Sequence, residues 1–300
     1  MPSASDHASK VLIFDWDDTI CPSTFVDSYQ IEHISELPLD VQELFHEVAR
    51  CAEKCMKEAE KYGEVIVITN SDEGWVKYSA ERFVPRLLPI LENYKVISAR
   101  TRYERFYPQS SLCWKAAAFA HEVNELFEMK GAYSDSASDK SYDSLELTDV
   151  STASEESLAH SKHAGFSWRR PSRREIVSFG DGMEERTAVR IVAEQLTAIP
   201  KSVMFLHNPT PIQIIGQLIM LTNHMKYVCR HETSLDLEIS SDQAESCAER
   251  YFKRHNIHFD TEYIGATPSG GHLVVDRIPV DTTTADSEQH ANGVAVSVSL

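Results

Sequence analysis

Apolar residues along this chain fall into two patterns, short β-type runs and longer stretches with helical spacing, and the two alternate. Val11 to Phe14 (VLIF) and Val65 to Thr69 (VIVIT) are apolar runs bounded by polar residues, which predicts buried strands. Between them, Val41, Leu44, Phe45, Val48, Ala52, Met56 and Ala59 recur at helical spacing over about 41–60, and Gly63 follows as a stop signal. A helix over about 73–83 leads into a stretch punctuated by Pro85 and Pro89, and Tyr94 to Ser98 predicts a third strand. Ser110 or Ser111 can cap a helix carrying Leu112, Ala116, Phe119, Val123 and Phe127. Glu175 to Phe179 and Ser202 to Leu206 predict two more strands, followed by helices over about 184–195 and 211–227. Leu235, Leu237 and Ile239 alternate with polar residues as an edge strand would. Strand alternating with helix is the pattern of a parallel α/β sheet flanked by helices.

The pattern breaks between 132 and 172, where Ser, Asp and Glu dominate and large apolar side chains are scarce; such a stretch is expected to be a disordered insertion. Residues 1–9 are expected to be a flexible N-terminus. The chemistry-bearing domain then comprises 10–131 and 173–240, with 241–300 a C-terminal extension that is loose after about 263. In a chain of 300 residues, 29 Lys and Arg face 46 Asp and Glu, a formal charge of -17, which disfavours nucleic acid and anionic membranes as partners. No apolar signal-peptide core or bilayer-spanning stretch is present, so an intracellular protein is expected, cytoplasmic or nuclear. Six cysteines without a secretory signal are expected to be reduced; Cys51 and Cys55 lie four apart but have no zinc-spaced partners.

The first strand runs directly into Asp15, Asp17 and Asp18. Three carboxylates crowded at a strand end repel one another, so they form either a solvated turn or a site that needs compensating charge. Ligand sites in parallel α/β sheets lie beyond the carboxyl ends of the strands. There this chain places Asp15 and Asp17, Thr69 and Asn70, Asp181, and Lys115 near the start of a helix. The set contains what aspartyl phosphoryl transfer needs. One carboxylate can attack phosphorus, a second can act as acid and then base, a hydroxyl and an ammonium can hold phosphoryl oxygens, and remaining acids can bind Mg²⁺. Taken singly, each has an ordinary reading: Asp in a strand-to-loop turn, Thr in a strand, Lys on a solvated helix start with Lys95 as a nearby rival, Glu185 in a helix's first turn. Asp18 reads as structural or as a support behind the site residues, and Trp16 and Trp114 as core or rim.

Four motifs, FDWDDT, VIVITNS, WKAAAF and SFGDGMEE, occur in an order that resembles the haloacid dehalogenase (HAD) superfamily of phosphohydrolases. The resemblance implies a HAD-like Rossmannoid fold. It implies Asp15 as nucleophile and Mg²⁺ ligand, and Asp17 as general acid and base that also offers its backbone carbonyl to the metal. By the same resemblance Thr69 and the amide of Asn70 hold phosphoryl oxygens, Lys115 neutralises the nucleophile and the phosphoryl group, and Asp181 and Glu185 serve the metal. Family members often carry Asn then Asp where this chain has Glu184 then Glu185, which leaves the second metal contact open between them.

The intervals from Asp15 to Thr69 and from Thr69 to Lys115 are filled by predicted core elements, leaving no room for a large cap domain and only a short flap over about 20–29. By resemblance, capless members act on macromolecules such as phosphoproteins. The expected function is therefore a Mg²⁺-dependent phosphatase acting on a phosphorylated macromolecule such as a phosphoprotein. The alternatives are a non-catalytic phosphate-binding or scaffold module and a small-molecule phosphatase. Serines beside acids in the insertion, and Ser172 among Arg169, Arg170, Arg173 and Arg174, read as kinase acceptor sites or as a solvated linker.

Overall fold

The structure, a computed structural model, describes residues 10–136 and 173–258, with side chains up to Met129 and from Arg173. The expectations for the N-terminus, for most of the insertion and for the end of the C-terminal extension lie outside these residues. Within them the chain forms six strands: β1 Lys10–Phe14, β2 Glu64–Thr69, β3 Lys95–Ser98, β4 Glu175–Gly180, β5 Ile199–Met204 and β6 Leu235–Glu238. The helices are α1 Ser23–Ser28, α2 Leu39–Ala59, α3 Trp75–Phe83, α4 Leu88–Leu91, α5 Ala99–Tyr103, α6 Ser111–Ser136, α7 Met183–Gln195, α8 Pro211–Arg230 and α9 Ser241–His255, with 3-10 turns at Ile34–Glu36 and Pro85–Leu87.

All the strands pair in parallel, in the order β3-β2-β1-β4-β5-β6. Their apolar residues alternate between two buried faces. Leu12, Phe14, Val65, Val67, Val177, Phe179 and Val203 face a core shared with α2, α3 and α8, while Val11, Ile13, Ile66, Ile68, Ile97 and Ile176 face one shared with α6 and α7. Burial on both sides is why these strands read as continuous apolar runs. The order reverses between β1 and β4, and the crevice beyond their carboxyl ends is where a Rossmann-like sheet presents ligands.

Three sequence expectations are corrected. β5 begins at Ile199 instead of Ser202, because buried Lys201 breaks the apolar pattern there. Its ammonium is held by Glu175 at 2.7 Å and by the carbonyls of Val228 and His231 at the end of α8, at 3.0 and 2.7 Å, so a strand absorbs a lysine at no exposed charge. Helix α6 runs on to Ser136, past the boundary expected at 131. Helix α9 was not foreseen, because it buries only small residues, Ala244, Cys247 and Ala248; its capping box, Ser240 with Gln243, was the legible signal. The six cysteines are unpaired. No described helix is long and apolar enough to cross a membrane.

Candidate active site

The end of β1 sets the site. The Asp15 N–H donates to the Phe179 carbonyl at 2.8 Å, carrying the β1–β4 ladder one residue past the strand and fixing Asp15 at the switch point. The chain then turns tightly: Ile20 and Cys21 donate to the Trp16 carbonyl, and Asp18 adopts the left-handed conformation at φ 53. Asp18 accepts from the Thr24 N–H at 2.9 Å and so stabilises the start of α1, a structural role, as read. Trp16 is fully buried and donates to Ser79, a core position, also as read.

Asp15 faces a buried cation. Lys115, one turn into α6, is 1 % exposed, and its ammonium lies 2.7 Å from Asp15 Oδ1, 2.7 Å from Glu185 Oε1 and 2.9 Å from the Ile68 carbonyl. Its three protons have three acceptors. Lys95, the rival, sits at the far end of β3 with Glu122 and Glu125, outside the site. Burial pushes the Lys115 ammonium down, but the carboxylates of Asp15 and Glu185 outweigh it and hold it above the usual lysine range. For Asp15 burial is the largest influence and pushes the carboxyl well above the usual range; Lys115 opposes this, and Glu185, Asp17 and Asp181 add to it.

The turn after β4 supplies the other acids. Gly180 and Gly182 leave space for Glu185: a Cβ at Gly180 would meet Glu185 Cγ at 2.6 Å, and one at Gly182 would meet Glu185 Oε2 at 2.8 Å. The Gly182 N–H donates to that oxygen at 3.2 Å. Oxygens of Asp15, Asp181 and Glu185 lie within 4.8 Å of one another and form an all-oxygen cluster. Glu184 points elsewhere and accepts from Ser111 Oγ at 3.0 Å, so Glu185 is the acid the cluster recruits. Burial, with help from Glu185 and Asp18, pushes Asp181 up to about 7, against the pull of His207, whose Nδ1 is 3.2 Å away.

Asp17 occupies a different environment. Its Oδ2 accepts from Thr69 Oγ1 at 2.9 Å and Ser71 Oγ at 2.7 Å, and its Oδ1 from Trp75 Nε1 at 2.7 Å. The loop carrying these donors is tied to β3 and α5 by Ser98 Oγ on the Ser71 carbonyl and Thr101 Oγ1 on the Glu73 N–H. Gly74, at φ 89, turns the chain into α3 and brings Trp75 onto Asp17. The Thr69 hydroxyl is thus engaged with Asp17. Asn70 sits beside it, with Nδ2 3.4 Å from the Ser111 carbonyl and a buried, unpartnered Oδ1. Sequence reading missed Ser71, Trp75 and His207; a second hydroxyl after β2 signalled Ser71, and nothing local signalled the others.

All seven residues singled out in the sequence, Asp15, Asp17, Thr69, Asn70, Lys115, Asp181 and Glu185, come together at the carboxyl ends of β1, β2 and β4. Fold and site define a parallel α/β protein of Rossmann-like topology whose switch-point crevice holds a buried acidic cluster against a lysine. No family model, curated protein or solved structure matches the chain.

Proposed function

We propose that this chain is a divalent-cation-dependent phosphohydrolase of the HAD type, hydrolysing a phosphomonoester through an aspartyl phosphate on Asp15. The observation that carries the reading is the division of labour between two acids two positions apart. Asp15 is held against a buried ammonium, and Asp17 against three neutral donors. Paired carboxyls in contrasting environments are what nucleophile and proton-shuttle roles require.

Asp15, Asp181 and Glu185 fit a Mg²⁺ ion, because the donors are all carboxylate oxygens in one cluster that two glycines leave room for. Bound there, the ion would screen the approach of an anionic phosphoryl group. Lys115 orients Asp15 and neutralises it, and Thr69, by turning its hydroxyl away from Asp17, and the amide of Asn70 would receive phosphoryl oxygens. Asp15 attacks phosphorus as the bond to the leaving oxygen breaks, and Asp17 gives that oxygen a proton. Asp17 then takes a proton from the water that cleaves the acyl phosphate, releasing inorganic phosphate and restoring both acids. A large substrate such as a protein is favoured by the lack of a folded cap in the two intervals that flank the second strand of the site. Among the described residues, only α1, a 3-10 turn and α2 lie between β1 and β2, and only α3, a 3-10 turn, α4, β3 and α5 between β2 and α6, so neither interval holds a folded cap.

The test is hydrolysis of an aryl phosphate by the purified protein with Mg²⁺, with chelator, and after Asp15→Asn. Turnover should need both the cation and Asp15, and Asp17→Asn should cost roughly 10²- to 10⁴-fold. Turnover by Asp15→Asn would refute the mechanism, and a folded, Mg²⁺-binding protein without turnover would point to a phosphate-binding module.

A further inference from the structure

One face of α3 leads out of the site. Trp75, Tyr78 and Arg82 are spaced i, i+3, i+7 and share that face. The Trp75 indole donates to Asp17, and its ring stacks on Tyr78 with centroids 5.7 Å apart and planes at 26°. The Arg82 guanidinium lies 3.6 Å from the Tyr78 centroid. Tyr78 is 47 % exposed, so the stripe is open to solvent. Arg82, like Arg105, Arg174, Arg230, Arg250 and Arg254, has no acidic partner among the described residues, and it is the one of these that continues the Trp75–Tyr78 stripe leading from Asp17. In a chain of net charge -17, that leaves a cation available beside an exposed aromatic ring.

We propose that this stripe is the docking track for the leaving-group side of the substrate, a phosphorylated protein segment with an acidic side chain about three residues from the phosphorylated one. The inference rests on the phosphohydrolase reading of the same site. Asp17 protonates the leaving oxygen, so the body of the substrate departs on the Asp17 side, where Trp75 is the adjoining group. From Trp75 to Arg82 the helix rises about 10 Å at ~1.5 Å per residue. An extended segment at ~3.3 Å per residue covers that in about three residues. Tyr78 offers an amphipathic ring along the way, and Arg82 a planar fork for a carboxylate at the end.

The test uses the full chain and synthetic phosphopeptides that differ only at the third residue before or after the phosphorylated one, as Asp, Ala or Lys. An aryl phosphate, too small to reach Arg82, reports the chemistry in every variant. The Asp peptide should exceed the Ala peptide in kcat/KM by about two- to five-fold, the scale of an exposed ion pair. Arg82→Ala should erase that preference, Arg82→Glu should turn it toward the Lys peptide, and Tyr78→Ala should weaken all three peptides. Aryl phosphate turnover should stay at the wild-type level in the Arg82 variants. The inference is overturned if Arg82→Glu keeps the wild-type ranking, or if the protein hydrolyses the aryl phosphate in a Mg²⁺- and Asp15-dependent way but no phosphopeptide. If the aryl phosphate itself is untouched, the phosphohydrolase reading fails and this inference falls with it.

Discussion

Replacing Lys115 with Met removes a buried ammonium while keeping an unbranched side chain of similar length. Three contacts are lost at once, to Asp15, to Glu185 and to the Ile68 carbonyl. Removing one partner of a buried pair costs about 3–5 kcal/mol. Here two carboxylates share the lost partner, with Asp181 in the same cluster, so the upper end, about 5 kcal/mol, is expected at about pH 8 in chelator. The loss should shrink at lower pH. Lys115 is the one influence pulling the Asp15 carboxyl down, so its removal raises that carboxyl further. A carboxyl raised in the folded state contributes stability that is full below its unfolded pKa and is lost as pH rises through the folded one. Urea unfolding followed by far-ultraviolet circular dichroism, in chelator at about pH 8 and about pH 5.5, measures both effects, and added Mg²⁺ should recover part of the loss at the higher pH. A loss below about 1 kcal/mol at the higher pH, or one equal at both, would show that Lys115 does not neutralise the cluster.

Asp181 makes a related prediction for the unaltered chain. Its carboxyl is raised to about 7, chiefly by burial, so its contribution is present below the ordinary carboxylate range and declines as pH rises through about 7. A divalent cation favours the ionised form, so the rise in melting temperature on adding Mg²⁺ in thermal-shift assays should be larger at about pH 8 than at about pH 5.5. Equal shifts would separate the cation from this carboxyl. Asp236, lowered by its hydrogen bond and ion pair with Arg186, affects only the acid limb and does not confuse the comparison. On the proposed chemistry, Trp75→Phe removes one donor from Asp17 and should cost roughly ten-fold with an alkyl phosphate but much less with a nitrophenyl phosphate, whose leaving group needs little protonation. Equal losses with both substrates would confine Trp75 to folding or binding.

The sheet was legible because its strands are apolar on both faces, and the acids were legible because they interrupt those runs. Asp15 and Asp17 follow β1, and Asp181 follows β4, so an apolar run that stops at a carboxylate marks both sides of the switch point. Lys115 became legible only through the order of motifs, since nothing local distinguishes a lysine buried against two acids from a solvated one. Sequence spacing does not separate Glu185 from Glu184; the fold does, bringing Glu185 to Lys115 and the clustered acids and Glu184 to Ser111. Ser71 and Trp75 act across a loop whose path is set by Gly74 and by bonds to β3 and α5, contacts that sequence spacing does not encode. The start of β5 was obscured by the opposite effect: tertiary contacts to Glu175 and the end of α8 let a strand accept Lys201.

Charge balance joins the remaining features. Asp15, Asp181 and Glu185, when ionised, bring three negative charges into one buried crevice and Lys115 brings one positive, leaving two uncompensated, the charge of one divalent cation. Without such an ion the cluster must hold protons instead, and the raised carboxyls of Asp15 and Asp181 express that requirement. Neutralising the crevice with a cation would let an anionic phosphoryl group enter a chain of net charge -17 without local repulsion. Asp17 makes no hydrogen bond or ion pair to Lys115 or to the three clustered acids. Its partners are two hydroxyls and an indole, none of them charged. On the proposed chemistry, a nucleophile beside a fixed charge and a proton carrier beside neutral donors divide between them the two steps of a transfer through Asp15.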